Sequence, residues 1–398
     1  MSDTAAFRAT VHRWLEENCP ASQRQPITPG EQYWGGRNGS FPSEDARIWF
    51  ERMREQRWVV PEWPLAYGGA GLGEQEARII KDEMRKLGCR SPLYSLGIWM
   101  LGPALLEFGS EAQKDEHLPA IAQGRARWCQ GYSEPGAGSD LASLQMRAEI
   151  LDDHFVLNGS KIWTSQADRS DWIFCLVRTD PAARKQEGIS FLLVDMASPG
   201  ITVRPIELIS GASEFCQTFF DNVRVPRGNL VGPLHGGWGV AKALLKHERK
   251  LMSEIGIESA TRAYGAVECA KRYLPMDTAG QVADAVMRDR LARHEMQMHA
   301  IGLTQQRIIE ESKARAGSGL TALVMKYCGT EEEKRRQELM VAMMGSQGLG
   351  WEGEDFSGPE IDTVRGMLGS KALSIAGGSS EIQLNIIAKR ALGLPGVT

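Results

Sequence analysis

Apolar positions fall into three regimes along the chain. Up to about residue 125 they recur at helical spacing, as in Phe7, Val11, Trp14 and Leu15. That spacing predicts helices over 3–18, 44–56, 74–87, 93–106 and 111–121. Pro20 ends the first, and Gly109 and Gly124 stand at C-capping positions. Residues 23–41 and 58–73, rich in glycine, proline and polar side chains, read as loop or irregular structure. From 126 to 232 the period shortens to two. Short runs at 146–150, 155–157, 161–164, 172–177, 189–194, 201–205 and 218–220 read as strands, separated by the turn signals Asp152-Asp153, Asn158-Gly159, Asp180-Pro181 and Pro199-Gly200. Helical spacing then returns over 240–273, 282–312, 319–344 and 379–392, lengths that suit a four-helix bundle. The expected fold is therefore α+β and multidomain: an N-terminal α-helical domain (1–125), a middle antiparallel β domain (126–232) and a C-terminal four-helix bundle (233–398). Strands and helices do not alternate, and no G-x-G-x-x-G stands between a strand and a helix, so a dinucleotide-binding Rossmann unit is not supported.

Composition narrows the function. A chain of 398 residues with 42% hydrophobic and 24% charged residues is an ordinary globular protein of two to three domains. A net charge of -4 without a polybasic block gives no reason to expect nucleic acid or a membrane surface. The seven cysteines are scattered singly, with no C-x-x-C pair, which argues for a reducing compartment and against structural zinc; no metal site is expected. The first residues lack the apolar stretch of a signal peptide, and no run reaches eighteen apolar residues, so a cytoplasmic location is expected.

The chemistry concentrates in two stretches of the middle region, Trp128-Cys-Gln-Gly-Tyr-Ser-Glu-Pro-Gly-Ala-Gly-Ser-Asp140 and Asn158-Gly-Ser-Lys-Ile-Trp-Thr-Ser165. A turn so rich in glycine and hydroxyls offers backbone N–H and side-chain O–H groups to a flat, polar-edged ligand. Taken singly, each piece is equally well a glycine-rich turn or a core tryptophan. Together, in order and at this separation, they resemble the acyl-CoA dehydrogenase family, in which the two pieces hold the isoalloxazine ring of FAD. The segment Trp63-Pro-Leu-Ala-Tyr-Gly-Gly69 is similar to another of the family's, and the resemblance is dense from about Leu101 to Pro395. It implies FAD as cofactor, an acyl-CoA substrate oxidised to a trans-2-enoyl-CoA, and an electron-transferring flavoprotein as electron acceptor. Carried over residue by residue, Gln130, Tyr132 and Ser133 match the strand end at the pyrimidine side of the ring. Trp163 matches the indole packed on the flavin, and Ser165 the hydroxyl near N5. Gln130 replaces an aromatic residue of the medium-chain pattern. Ser139 matches a residue near the thioester end of the substrate. Ser379 and Glu381 sit at a helix N-terminus, where free N–H groups and the macrodipole favour a phosphate of the cofactor, with simple helix capping as the lesser alternative.

The dehydrogenation implied by the resemblance needs a base for the α-proton. Medium-chain members carry it as the Glu of Ile-Tyr-Glu-Gly-Thr, where this chain reads Ile375-Ala-Gly-Gly-Ser379, so Gly377 stands in the place of the carboxylate. Isovaleryl-CoA and long-chain members place the base earlier, in a Leu-x-x-Glu-Arg context. Here Leu244-Leu-Lys-His-Glu-Arg249 supplies Glu248 as catalytic base and Arg249 beside it at the substrate. Periodicity marks Glu248 as well. Leu244, Glu248, Met252 and Ile255 share one otherwise apolar helical face, and desolvation there raises a carboxylate toward the range of a general base. A buried glutamate neutralised by Arg249 or His247 is the simpler alternative. Gly377 still offers its N–H to the thioester oxygen, and its missing side chain leaves room for a branched or bulky acyl group.

Two further segments bear on partners. Homotetrameric members of the family complete a neighbouring subunit's FAD site with Arg-x-x-Phe-Gly and Gln-x-x-Gly-Gly. This chain reads Lys271-Arg-Tyr-Leu-Pro-Met-Asp-Thr-Ala-Gly280 and Ala342-Met-Met-Gly-Ser-Gln-Gly348 in their place. An α2β2 complex with a related chain that supplies the missing clamp is expected, with a homo-oligomer as the alternative. Two other functions stand beside the dehydrogenase: a non-catalytic or FAD-sharing partner subunit, and a flavin oxidase or monooxygenase on the same fold.

Overall fold

The structure is a computed structural model that describes residues 2–25, 27, 29–245, 265–314 and 320–395. The chain divides into two compact units, Met1–Ile206 with Glu214–Glu254, and Glu207–Ser213 with Ile255–Thr398.

In the first unit the helical spacing yields α1 (Ser2–Asn18), α2 (Glu44–Glu55), α3 (Glu74–Lys86), α4 (Gly102–Phe108) and α5 (Glu111–Ala122). Ser43 caps α2 through the Ala46 N–H, and Ser110 forms a capping box with Gln113 at the start of α5. The helix expected over 93–106 divides in two, because residues 97–101 wind as a π-helix before α4 begins. Gly124 follows α5 in the left-handed region, as a C-capping glycine does.

The alternating region folds into one sheet of β1 (Trp128–Gly131), β2 (Arg147–Ile150), β3 (His154–Ser165), β4 (Trp172–Arg178), β5 (Ile189–Asp195), β6 (Ile201–Ile206), β7 (Phe215–Pro226) and β8 (Leu230–Val231). Its order is β6-β7-β3-β2-β4-β5-β8, with β1 alongside β4. Pairing is antiparallel except that β1 runs parallel to β4, as does a single β2–β4 bridge. Both faces of β4 and β5 are covered. Phe174, Leu176, Phe191 and Leu193 join the core built on α4 and α5, while Ile173, Cys175, Val177, Leu192 and Val194 pack on the opposite face with Phe155 and Leu157. That double burial explains why these two strands read as continuous apolar runs. Pro205 sits on the edge strand β6, where its missing N–H costs no ladder bond.

Two strand expectations are corrected. Asn158-Gly159 is not a turn but lies inside β3. Asp221 and Asn222 of β7 oppose Asn158 there, Asn222 is left-handed at φ 51°, and its N–H donates to Asn158 Oδ1 at 2.9 Å. Gly159 takes φ 138° with its Cα side turned to Met146, 3.1 Å from where a Cβ would stand. An Asn-Gly pair suits a bulge as well as a turn. The 218–220 run, in turn, is only the middle of the longer β7.

Residues 237–245 are helical (α6), and the rest of the helix expected to run to 273 is described only at α7 (Ala266–Tyr273). The second unit also contains α8 (Ala285–Ala314), α9 (Thr321–Met344), α10 (Gly358–Ser370) and α11 (Ser380–Arg390). α9 packs against α7, α8, α10 and α11. α10 is an element beyond the four expected: its glycines obscure the helical period, yet Ser357 and Glu360 form a capping box at its start. No helix among the described residues is long and apolar enough to cross a membrane, and none of their His, Cys, Asp and Glu side chains cluster in threes fit to hold a metal ion.

Candidate functional site

Strict alternation along β3 would bury Trp163, because Phe155, Leu157 and Lys161 of the same parity all point inward. A second bulge changes this: Lys161 pairs with Thr218 but Thr164 with Cys216, so Ile162 and Trp163 together oppose Gln217. Trp163 takes a left-handed φ of 60° and turns outward, 53% exposed, with its indole edge-to-face on Phe215. A bulky residue held in that region stores strain, which is characteristic of functional sites. Thr164 is buried in its place and bonds to Thr218 and to the Cys216 carbonyl, while Ser165 is half-buried. Gln166 follows, also left-handed at φ 53°, and accepts from the Arg127 guanidinium.

β1 delivers the glycine-rich loop to the same strand. The Ile162 N–H donates to Ser133 O at 2.9 Å, so Ser133 lies beside the bulge that presents Trp163. Gln130 is half-buried on β1, which pairs with β4. Tyr132 turns its ring into the core, edge-on to Phe174 at 6.0 Å and Phe191 at 6.4 Å, so its assignment to the ligand narrows to main chain. Beyond Ser133 the loop closes on itself through paired Glu134 and Ala137 backbone bonds, and Ser139 is exposed. Among the described residues, nothing beyond the chain neighbours lies within 4 Å of where a Cβ would stand on Gly136 or Gly138.

Beneath the loop lies a pair that the sequence reading passed over. Lys161 is fully buried, and its Nζ donates to Glu134 Oε1 at 2.8 Å and to Tyr132 O at 3.1 Å. Glu134, itself buried, also accepts from the N–H groups of Gln145 at 2.6 Å and Met146 at 2.9 Å. Burial pushes the Lys161 ammonium below its ordinary value, and Glu134 pulls it back. Both residues stood in the two stretches singled out above, and the inward parity of Lys161 was the available signal.

In the second unit Gly377, Ser379 and Glu381 share the turn that opens α11. Gly377 is exposed and left-handed at φ 64°, and among the described residues nothing beyond its chain neighbours lies within 4 Å of where a Cβ would stand. Lys326 of α9 fixes the turn by donating to Leu373 O at 3.0 Å and Gly378 O at 2.8 Å. The Ser379 hydroxyl caps α11 through the Ile382 N–H. The exposed Glu381 carboxyl is held below its usual range by its own N–H and by Ser379. Glu248 and Arg249 lie outside the described residues.

Three family models match the chain in the order of these elements: the acyl-CoA dehydrogenase N-terminal domain over residues 2–125, the middle domain over 129–223 and the C-terminal domain over 235–392. The chain is 34% identical to acyl-CoA dehydrogenase IpdE1 of Mycobacterium tuberculosis (strain ATCC 25618 / H37Rv), with 99% of each chain covered. Among solved structures it resembles the Tcur3481-Tcur3483 steroid ACAD, with TM-score 0.76 and 29% identity over 100% of this chain and 99% of that one. It also resembles a chain of the ChsE4-ChsE5 complex from Mycobacterium tuberculosis, with TM-score 0.72 and 27% identity over 100% and 99%. Three domain matches in sequence order and a relative aligned end to end leave one conclusion: the protein belongs to the acyl-CoA dehydrogenase family, a family of flavoprotein oxidoreductases.

Proposed function

We propose that this chain dehydrogenates a bulky acyl-CoA thioester between its α and β carbons, with FAD, to give a trans-2-enoyl-CoA. The observation that carries the reading is Trp163, a large apolar ring held outward at a strained bulge beside Ser133 and Ser165. Such a plane, with hydroxyls at its edge and an open glycine loop adjoining it, fits a flavin ring. Gln130, the Tyr132 main chain, Ser133, Trp163 and Ser165 hold that ring in this proposal, and Ser379 and Glu381 at their helix N-terminus serve a phosphate of the cofactor. When bound, FAD supplies the two-electron acceptor for the β-hydrogen.

The chain's own residues do the rest. Glu248 takes the α-proton, and in the sequence it stands four residues after the fully buried Leu244. Gly377 donates its N–H to the thioester oxygen, which stabilises the charge that develops there as the proton leaves. Ser139 and Arg249 bind the substrate. The missing side chain at Gly377 and the solved neighbour described as a steroid ACAD support a large, ring-bearing acyl group over a short straight chain.

The same neighbours bear on assembly, since the ChsE4-ChsE5 structure is a complex of two named components. Arg272, in the segment that stands where the pyrophosphate clamp is missing, lies over the Tyr273 ring at 5.3 Å. An α2β2 assembly with a related chain completes the FAD sites in this reading, and an electron-transferring flavoprotein accepts the electrons. Anaerobic titration of the FAD-loaded protein with straight, branched, aromatic, dicarboxylic and steroid-side-chain acyl-CoAs tests the proposal. Bleaching by the steroid type at the lowest concentration supports it, and no bleaching by any of them refutes it.

A further inference from the structure

The Glu134–Lys161 pair touches no side chain assigned to substrate or cofactor, yet it ties the loop that follows β1 to β3, with Lys161 bonded to the Tyr132 main chain. Glu134 follows Ser133, and its carboxylate receives the Gln145 and Met146 N–H groups, which closes residues 134–146 into a loop with its two ends tied together. Lys161 stands two residues before Trp163 and bonds to Glu134 and to the carbonyl of Tyr132. Arg178 reinforces the far end of the loop by donating to Ala142 O at 2.7 Å and Leu144 O at 3.1 Å. Around the ammonium the Cys175 thiol stays neutral, pushed up to about 12 mainly by burial, and the nearby Arg178 guanidinium adds a second positive charge that lowers the ammonium further.

A fully buried ion pair is a poor way to gain stability, because desolvating both charges offsets their attraction, and apolar residues of similar volume hold a core equally well. What the pair does supply is register. The ammonium accepts only one placement of Glu134 and Tyr132 O, and the carboxylate only one placement of two consecutive N–H groups. We propose that Glu134 and Lys161 are positioning residues: a buried latch that fixes the 133–146 loop against the bulged end of β3, and thereby sets Ser133, Trp163 and Ser165 at the spacing a flavin ring requires. The flavin part of this inference rests on the proposed function above; the latch itself rests on the bonds.

The test uses the full chain, with FAD and with its partner chain where one is needed, in four forms: wild type, Lys161→Met, Glu134→Gln, and the double variant. Each single variant leaves one buried polar group short of its partner and melts lower. The double variant removes both charges, so its melting temperature is expected to return to within a few degrees of wild type. Its flavin is not expected to recover: the visible band shifts, FAD dissociates at least tenfold more readily, and amide exchange rises at least tenfold across 133–146 while β4 and β5 keep wild-type protection. A double variant with the wild-type flavin spectrum, affinity and loop exchange overturns the proposal, as does exchange that rises evenly over the whole sheet. If the wild type takes up no FAD at all, the flavin reading falls on its own, and loop exchange alone then judges the latch by the same two outcomes.

Discussion

Trp163 and Phe215 meet edge to face, ring centroids 6.0 Å apart and planes at 86°, at the point where the β3–β7 ladder skips a residue. The contact supports the exposed indole from one side, and 53% of the residue remains open to solvent. Because so much of Trp163 is solvent-exposed, removing it forfeits little core packing. Trp163→Ala is expected to shift the melting temperature by only a few degrees while lowering the rate of flavin reduction about a hundredfold, through loss of alignment. Ser165→Ala is expected to alter the flavin spectrum and slow reduction with the fold intact. Stopped-flow reduction beside thermal melts checks both, and wild-type reduction rates in the two variants would remove these residues from the site.

The turn at Gly377 makes a separate prediction. Its φ of 64° disfavours any side chain, although among the described residues nothing beyond its chain neighbours lies within 4 Å of the Cβ position. Gly377→Ala therefore acts through the backbone there and costs roughly 1–2 kcal/mol locally. If its N–H serves the thioester oxygen, kcat falls by more than tenfold with KM little changed, since the donor matters most as charge develops. Equal kcat values in steady-state assays would leave the glycine a purely conformational role.

Acid stability turns on Glu83. This carboxylate is buried between α1 and α3, bonded to Lys86 Nζ at 2.7 Å, His12 Nδ1 at 2.9 Å and the Arg8 guanidinium. Burial alone would raise its pKa, but Lys86, Arg8 and His12 together outweigh it and hold the group at about 2 against the usual 4.5. A depressed carboxylate stabilises the fold above its unfolded pKa, and that contribution, of order 3 kcal/mol, is lost as pH falls from about 4.5 toward 2. Denaturant melts at pH 6 and pH 3 are expected to show wild type losing more stability than Glu83→Gln across that interval. Identical slopes for the two proteins would contradict the linkage.

Much of this molecule is legible in its residues because helical and alternating spacing report burial directly. The apolar spacing of α2 and α3 and the continuous apolar runs of the doubly buried β4 and β5 mark those elements, and Gly124 marks the end of α5. Where period and geometry part, the reading fails. Asn158-Gly159 carries turn chemistry yet serves a bulge, and only the partner strand β7 decides between them. The glycines of α10 dilute its apolar stripe. The outward face of Trp163 depends on one extra residue in a ladder, and the Glu134–Lys161 pair on two segments meeting in space; neither is a property of spacing along the chain.

Assembly follows from the two missing clamp segments. The chain expressed alone is expected to bind FAD weakly and to form, with a related partner, an α2β2 complex with two flavins. Native mass spectrometry with flavin quantitation reads this directly, and a stable homotetramer carrying four FAD would contradict it.

The central claim is that acyl-CoA reduces a flavin on this chain with Glu248 as the base. Anaerobic mixing of the FAD-loaded protein with a steroid-side-chain acyl-CoA, wild type beside Glu248→Gln, tests it most directly. The account predicts rapid bleaching of the wild-type flavin, and in Glu248→Gln retained FAD with reduction slowed by about a hundredfold to ten-thousandfold, the usual weight of a positioned base. A variant that still bleaches at more than about a tenth of the wild-type rate would contradict the assignment, since general-base catalysis contributes far more than that.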